Sequence, residues 1–150
     1  MYQKIFVAID SSPTAQKALQ EAIALATSLK AGLCVAFVAD EAGLIQHGMG
    51  LGSYINVEQV KLEMQSAGNA MLDDAVAQAA ARGCKAERLL IESASRRVAE
   101  SLSAAAVGWG ADLLVIGAHG VRGFERLLVG SVAENLTRIS PISLLIVRQG

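Results

Sequence analysis

A glycine-rich segment near the carboxyl end of the chain carries the clearest potential for chemistry. In VIGAHGVRGFERLLVGSVAENL (115–136), four glycines, one histidine and two arginines follow a short apolar run. Glycine permits positive φ and lets backbone N–H groups approach a ligand without a Cβ in the way. Successive amides can form a nest that binds an anion, and a helix that begins at Ser131 would add further unpaired N–H donors. The segment therefore predicts a phosphate-binding site.

The free energy that binding requires favours a nucleotide over free phosphate. A single charge at a helix end gains about 0.3–1 kcal/mol, whereas a micromolar ligand requires about 8 kcal/mol. The remainder must come from several amides and from a pocket for a larger organic group. Within the segment, His119 could donate to the anion, and Arg122 or Arg126 could offset phosphate charge.

Each of these residues also has a structural interpretation that needs no ligand. Ser131 followed by Glu134 is a capping box, which is compatible with a phosphate contact by the same serine. Gly123 and Gly130 could serve turns. His119 could order the loop by bonding to a backbone carbonyl, and both arginines could be solvated.

A second group of polar residues follows the first apolar run. Ser12 is suited to cap a helix and Pro13 to occupy its first position. The carboxylate of Asp10 could be only a cap, or it could accept hydrogen bonds from ribose hydroxyls or adenine, which leaves the amides of Ser11 and Ser12 for polar contacts. Val38, at the end of the second apolar run, could present its backbone to an adenine edge.

Five short apolar runs predict the strands that position these residues. Their hydrophobicity is continuous rather than alternating, which indicates burial on both faces, as in a parallel sheet between two layers of helices. Helical patterns lie between the runs, so the predicted fold is α/β, a doubly wound five-stranded parallel sheet. The predicted strands are Lys4–Ile9, Leu33–Ala39, Arg88–Glu92, Leu113–Ala118 and Ser143–Val147.

Four helices are predicted between these strands. The second would bury a face that includes two methionines, which we interpret as core residues rather than as part of a cofactor site. This face comprises Val57, Val60, Met64, Ala67 and Met71. The predicted bounds are Ser12–Pro13 to Gly32 for the first helix, Asn56 to Gly83 for the second, about Ser95 to Val107 for the third, and from Gly130 onward for the fourth.

Composition and spacing exclude several classes of function. The chain has 150 residues, a formal net charge of -1 and 13 scattered basic residues, so we expect one domain and no nucleic-acid partner. GMGLGS (48–53) lacks the last glycine or alanine of a dinucleotide fingerprint, and no Walker-type Gly-Lys-Ser/Thr occurs. Because no signal-peptide pattern opens the chain and no apolar run approaches about 20 residues, we expect a cytoplasmic protein without a membrane partner.

The two cysteines, Cys34 and Cys84, form no Cys-x-x-Cys motif. We interpret them as core residues in a reducing compartment rather than as a disulfide or zinc ligands.

One loop is longer than ordinary connections. It extends from Asp40 to Asn56, and its length predicts a lid or a partner-contacting segment.

The sequence resembles the universal stress protein family over nearly its whole length. The resemblance is carried by KIFVAIDSSP (4–13), ADLLVIGAHG (111–120), GFERLLVGSVAENL (123–136) and SPISLLIVR (140–148). The nucleotide-binding class of that family is marked by Gly-x2-Gly-x9-Gly-Ser/Thr, and this sequence matches it at every position with Gly117, Gly120, Gly130 and Ser131. The resemblance implies the strand order 3-2-1-4-5 and ATP as the ligand, while the sequence leaves open whether the bound form is ATP, ADP or AMP.

The resemblance also implies roles for single residues. Asp10 matches the family's acidic residue after the first strand, Val38 its adenine-contacting position, and Val132 an additional phosphate-side backbone contact. Ser11 replaces a frequent glycine, and a valine occupies position 121, where a basic residue is common, so Arg122 would supply that charge. The complete candidate site comprises Asp10, Ser11, Ser12, Val38, Ile116, Gly117, His119, Gly120, Arg122, Gly123, Gly130, Ser131 and Val132.

We expect a nucleotide-responsive module of the stress response rather than an efficient enzyme. The motif offers no dedicated base for hydrolysis, and magnesium or manganese would accompany the phosphates mainly as a neutralising ion. Two alternatives stay open: a slow ATPase or autophosphorylating protein, and a dimeric interaction protein that works without nucleotide.

The last apolar run predicts a homodimer. In the order that the resemblance implies, Ser143–Val147 lies at an outer edge of the sheet, with only Arg148 near its end to discourage pairing. Pairing with an identical copy would cover this edge, and proteins of the family commonly dimerise there.

Overall fold

Five parallel strands form one sheet in the computed structural model, which describes residues 1–40, 57–93, 95–119 and 129–149. The strand order is β3-β2-β1-β4-β5, and every neighbouring pair is parallel. The expected doubly wound α/β fold and the order 3-2-1-4-5 are therefore confirmed. The strands are β1 (Lys4–Ala8), β2 (Gly32–Ala39), β3 (Ala86–Glu92), β4 (Leu113–Gly117) and β5 (Ser143–Val147).

Helices cover both faces of this sheet. One buried cluster joins the sheet to the first two helices through residues such as Leu19 and Leu72, and a second joins it to the last two through Leu102 and Leu136. The helices in the described ranges are α1 (Pro13–Leu29), α2 (Val57–Ala81), α3 (Val98–Trp109) and α4 (Ser131–Ile139).

Strand β1 shows why the apolar runs are continuous. Side chains alternate across a strand, and here both sides are buried. Ile5 and Val7 lie in the first cluster, whereas Phe6 and Ala8 lie in the second. A central strand of this sheet has no polar face, so period-two alternation is absent from its sequence.

The first residue of α1 was predicted correctly, but its last residue was not. Ser12 is the N-cap, its Oγ accepts from the Ala15 amide at 3.3 Å, and Pro13 is the first helical residue. The helix does not continue to Gly32, because Lys30 adopts a left-handed conformation with φ of 54° and closes it earlier. Gly32 instead begins β2 and donates its amide to the Gln3 carbonyl at 2.9 Å.

The buried face of α2 differs from the predicted one. Val57 is 47 % exposed, the Ala67 side chain is exposed, and the other three predicted residues are only half-buried. The helix packs on the sheet through a face of mostly small residues, because Gly68 on that face lets the helix approach Phe37 closely. Its buried residues are Gly68, Leu72, Ala75 and Ala79.

The third helix was predicted from about Ser95 to Val107 but extends from Val98 to Trp109, whereas three other expectations for the scaffold agree with the structure. Gly83, with φ of 76°, follows the end of α2 as predicted. Cys34 and Cys84 are buried free thiols, and burial raises the pKa of Cys34 to about 11. In the described ranges, no helix is both long enough and apolar enough to cross a membrane.

Asp112 fastens the start of β4 to the start of β1. Its two carboxylate oxygens accept the amides of Gln3 at 2.8 Å and Lys4 at 2.9 Å. Its own amide donates to the Lys4 carbonyl at 2.9 Å. These backbone hydrogen bonds to the ionised form hold the pKa of Asp112 below its usual value.

We predict that Asp112→Asn lowers the free energy of unfolding at neutral pH and that the difference from wild type shrinks in acid. A carboxyl whose folded pKa is lowered stabilises the fold above its unfolded pKa, near 4. That contribution is lost as the pH falls through the folded pKa, where the wild type also becomes neutral. Urea unfolding at pH 7 and pH 3 measures the effect.

Asp73→Asn is the matched control for this experiment. Asp73 makes an exposed ion pair with Arg88 at 3.4 Å, and its side chain is 70 % exposed. Such a pair contributes little, so we expect a change within about 0.5 kcal/mol at both pH values. Equal destabilisation by the two variants at pH 7 would contradict the assigned role of Asp112.

Candidate functional site

A cleft of about 480 Å³ opens at the carboxyl edge of β1, β2 and β4. Its volume falls within the range of about 300–1,000 Å³ that is typical of small-molecule sites. The chain leaves β1 for a helix on one face of the sheet and leaves β4 for a helix on the other. The crevice where two such connections diverge is the usual ligand site of open α/β sheets.

All ten described residues of the predicted site line this cleft. Three further predicted residues, Gly120, Arg122 and Gly123, lie outside the described part of the chain, as does the 41–56 portion of the long loop. Asp40, where that loop begins, also lines the cleft. The ten residues are Asp10, Ser11, Ser12, Val38, Ile116, Gly117, His119, Gly130, Ser131 and Val132.

Helix α4 begins at the cleft, and its first turn contributes backbone N–H donors there. Gly130 is the N-cap, and its carbonyl accepts the Glu134 amide at 2.9 Å as the first bond of the helix. The amides of Ser131, Val132 and Ala133 precede that bond and therefore have no acceptor within the helix. All three residues line the cleft. The N-terminal end of the helix also carries a partial positive charge, so the arrangement suits an anion.

The predicted capping box at Ser131 is wrong. The N-cap is one residue earlier, at Gly130, and it makes no side-chain capping hydrogen bond. Ser131 is therefore the first helical residue and is exposed. Because its hydroxyl has no capping role, the serine can offer both its hydroxyl and its amide to a ligand.

The two described glycines of the motif act differently from the expectation. Gly130 has φ of -64°, and Gly117 is not among the glycines with positive φ. The Gly130 amide donates to the Ala118 carbonyl at 2.6 Å, so it is used within the protein. A Cβ on Gly117 would lie 2.6 Å from Thr14 Oγ1 and 2.8 Å from the Thr14 carbonyl carbon. Gly117 thus permits close packing of α1 on β4 rather than a positive φ or an amide nest.

The start of α1 is organised around Asp10. Its Oδ1 accepts the Ser12 amide at 2.7 Å in a turn that precedes the helix, so Asp10 is not the helix cap, which is Ser12. Among the described contacts, Oδ2 accepts no hydrogen bond, so the carboxylate retains an acceptor for a ligand hydroxyl. Ser12 is different, because its hydroxyl accepts from Ala15 and donates to the His119 carbonyl, each at 3.3 Å. Its 3 % exposed side chain serves the protein itself.

Val38 offers backbone groups at the edge of the cleft. The Ala36 carbonyl accepts the Ile9 amide at 2.8 Å, so Ala36 directs its peptide groups toward β1. In a strand, residues two apart direct these groups to the same side. Val38 therefore directs its N–H and C=O toward β1, beyond the point where that strand ends at Ala8. A ligand in the cleft can bond there as an additional strand would.

Sequence reasoning missed the apolar walls of the cleft. Phe37 with Met64 and Met71 belongs to one side of the sheet, and Val98 with Leu102 belongs to the other. The two methionines pack against the core as predicted, but they also line the cleft, whereas the sequence interpretation had excluded them from a ligand site. The signal was present in the spacing, because Gly68 lies on the same helical face between them.

Comparison with known proteins identifies similar chains of equal length. The family model described as the universal stress protein family matches residues 1–148. Universal stress protein YxiE of Bacillus subtilis (strain 168) is 30% identical over 151 residues, which cover 99% of this chain and 100% of that protein.

Two solved structures show the same fold. A protein of the universal stress protein family from Burkholderia pseudomallei is 31% identical with a TM-score of 0.78, and the match covers 97% of this chain and 96% of that one. A universal stress protein in complex with cAMP is 26% identical with a TM-score of 0.69, over 99% and 98% of the two chains.

We predict that Gly117→Ala destabilises the protein by about 1–3 kcal/mol, because the added methyl group overlaps the backbone of α1. Gly32→Ala is the control, since a Cβ there meets only the Gln3 carbonyl oxygen and Trp109 at 3.8 Å. That change should be neutral or stabilising by up to about 1 kcal/mol. Denaturant unfolding of both variants measures the difference, and equal stabilities would show that α1 and β4 are not held as described.

Proposed function

The chain belongs to the universal stress protein family, and on that premise we propose that its cleft binds an adenine nucleotide and that binding regulates the protein in a stress response. One observation carries the proposal: three helix-terminal amides without intrahelical acceptors face the same cleft as a carboxylate and two apolar walls. The family member solved with cAMP supports an adenine nucleotide as the ligand class.

The phosphate groups of the ligand bind at the start of α4 in this proposal. The amides of Ser131, Val132 and Ala133 donate to phosphate oxygens, with the helix dipole as an added attraction. Gly120, Arg122 and Gly123 extend this contact from the preceding connection. Several charge-assisted bonds of this kind, each worth about 1.5–3 kcal/mol, approach the free energy of a micromolar ligand.

The nucleoside binds at the ends of β1 and β2. Asp10 accepts hydrogen bonds from ribose hydroxyls through Oδ2, because Oδ1 already accepts the Ser12 amide. The peptide groups of Val38 bond to the edge of adenine, and the ring packs against apolar residues of the cleft. Val38 offers one N–H donor and one C=O acceptor. This pair favours adenine, which presents an acceptor and a donor along one edge.

We propose binding of ATP, ADP or AMP rather than efficient hydrolysis. Among the described residues, no set of three histidine, cysteine or acidic side chains could hold a metal ion. In this proposal a magnesium or manganese ion accompanies the phosphates mainly as a neutralising ion. Glu134 is exposed and does not line the cleft, so it is not placed to act as a base. Release of ADP from purified protein incubated with ATP would show the alternative, a slow ATPase.

We predict that Ser131→Pro weakens ATP binding about tenfold or more while Ser131→Ala weakens it less. Proline removes the amide and the hydroxyl at the first helical position but suits the helix start, since Gly130 already has φ of -64° and ψ of 161°. Alanine removes only the hydroxyl. Titration calorimetry with ATP and magnesium, together with thermal unfolding of each free variant, measures the two effects. Absence of heat from wild type with ATP, ADP and AMP alike would refute the proposed function.

We also propose a homodimer that pairs through β5. This strand lies at one edge of the described sheet, next to β4 alone. The Val147 carbonyl accepts the Ala118 amide and so faces inward, which directs the peptide groups of Leu144 and Ile146 outward. Half-buried apolar side chains on both sides of the strand would become covered by an identical partner.

We predict that Ile146→Pro yields a monomer while Ile146→Ala remains a dimer. Both substitutions remove the isoleucine side chain, but only proline also removes the outward amide and blocks strand pairing. Sedimentation at micromolar concentration should give twice the 15.6 kDa chain mass for wild type and for the alanine variant. A monomeric wild type would contradict the proposed dimer.

A further inference from the structure

Thr14 is a polar residue that the cleft does not use directly. Its side chain is only 3 % exposed, and the residue is absent from the cleft lining although Ser12 and Ala15 belong to it. Thr14 Oγ1 donates to the His119 carbonyl and accepts from the His119 amide at 3.4 Å. The Thr14 hydroxyl, in the first turn of α1, therefore bonds to both the backbone carbonyl and the backbone amide of His119, which follows β4.

The residue that Thr14 holds lies at the exit of β4. His119 follows Ala118, whose carbonyl accepts the Gly130 amide at 2.6 Å. The three amides at the start of α4 follow Gly130 directly. Their position relative to β4 is thus fixed through the peptide groups of residues 118 and 119.

Close packing leaves this arrangement little freedom. Gly117 approaches Thr14 so closely that no Cβ fits between them. Ser12 Oγ donates to the same His119 carbonyl at 3.3 Å, and Ser12 also bonds to Asp10 through its amide. The first turn of α1 consequently touches both halves of the site, the Asp10 turn on one side and the exit of β4 on the other.

We infer that Thr14 is a positioning residue, which sets the distance between the nucleoside end and the phosphate end of the cleft without touching the ligand. The inference rests on the proposed function. A ligand that bears phosphate must reach both ends, so its affinity depends on this distance. A nucleoside reaches only the Asp10 end, so its affinity does not.

Two variants test the hydroxyl separately from the methyl group, and the valine variant keeps the volume of threonine. Thr14→Val replaces Oγ1 by a methyl group, whereas Thr14→Ser keeps the oxygen and loses the methyl group. Calorimetry with adenosine and with ATP plus magnesium gives the ratio of the two dissociation constants for each protein. We expect valine to reduce the preference for ATP about fivefold, with adenosine affinity unchanged within twofold, and serine to retain the wild-type ratio.

Two results would overturn the inference. An unchanged ratio in the valine variant would show that Thr14 does not position the phosphate end. An equal loss of affinity for adenosine and ATP would show a general structural role only. If the valine variant does not fold, Thr14→Ala takes its place with the same expected ratio, and Thr14→Ser must still restore the wild-type value.

A readout without ligand separates this inference from the proposed function. Hydrogen exchange of the Gly130 amide reports on its bond to Ala118 in the free protein. We expect about tenfold faster exchange in Thr14→Val than in Thr14→Ser. If wild type binds neither adenosine nor ATP, the proposed function fails, and unchanged exchange would then refute the positioning role as well.

Discussion

The contact of Gly117 with the first turn of α1 is the constraint on which the site depends. Strand β4 and helix α1 belong to opposite halves of the doubly wound sheet, and they meet without an intervening side chain. At this separation the hydroxyls of Ser12 and Thr14 reach the His119 carbonyl. A wider separation would leave the buried Thr14 hydroxyl without its acceptor and would remove two donors from the His119 carbonyl, which is unfavourable inside a protein. The close approach and the hydrogen bonds therefore require each other.

Features that depend on local sequence were predictable. The cap at Ser12 with Pro13 behind it needs only neighbouring residues. The apolar runs of β1, β2 and β4 report burial on both faces, whereas the edge strands β3 and β5 are mostly half-buried or exposed. The strand order came from the resemblance to a family rather than from periodicity. The end of α1 was placed at Gly32 although the cap is a local one, in which the Lys30 amide donates to the Ala26 carbonyl. The buried face of α2 was not predictable because it depends on a distant contact, the approach of Gly68 to Phe37. A pattern of apolar residues shows which side chains can be buried. It does not show where a glycine, which has no side chain, lets two elements come into close contact.

The candidate site shows the same division. The ten described residues, chosen from the motif, from the strand ends and from the resemblance to a family, line one cleft. Sequence reasoning assigned the wrong physical reason to Gly117 and a wrong capping role to Ser131. The first turn of α4 is set by the bond from Gly130 to Ala118, a contact between the helix start and the strand end that no local rule contains. The apolar walls, including Met64 and Met71, became visible only when α2 and α3 were placed on their two faces.

Ala118 joins the proposed ligand site to the proposed dimer edge. Its amide donates to the Val147 carbonyl of β5 at 2.8 Å, and its carbonyl accepts the Gly130 amide at the start of α4. One residue therefore bonds to the edge strand on one side and to the phosphate-binding helix on the other. The proposed nucleotide would contact the start of α4, and the proposed partner copy would pair with β5. In these two proposals Ala118 is the residue whose peptide groups join the ligand-binding helix to the edge strand.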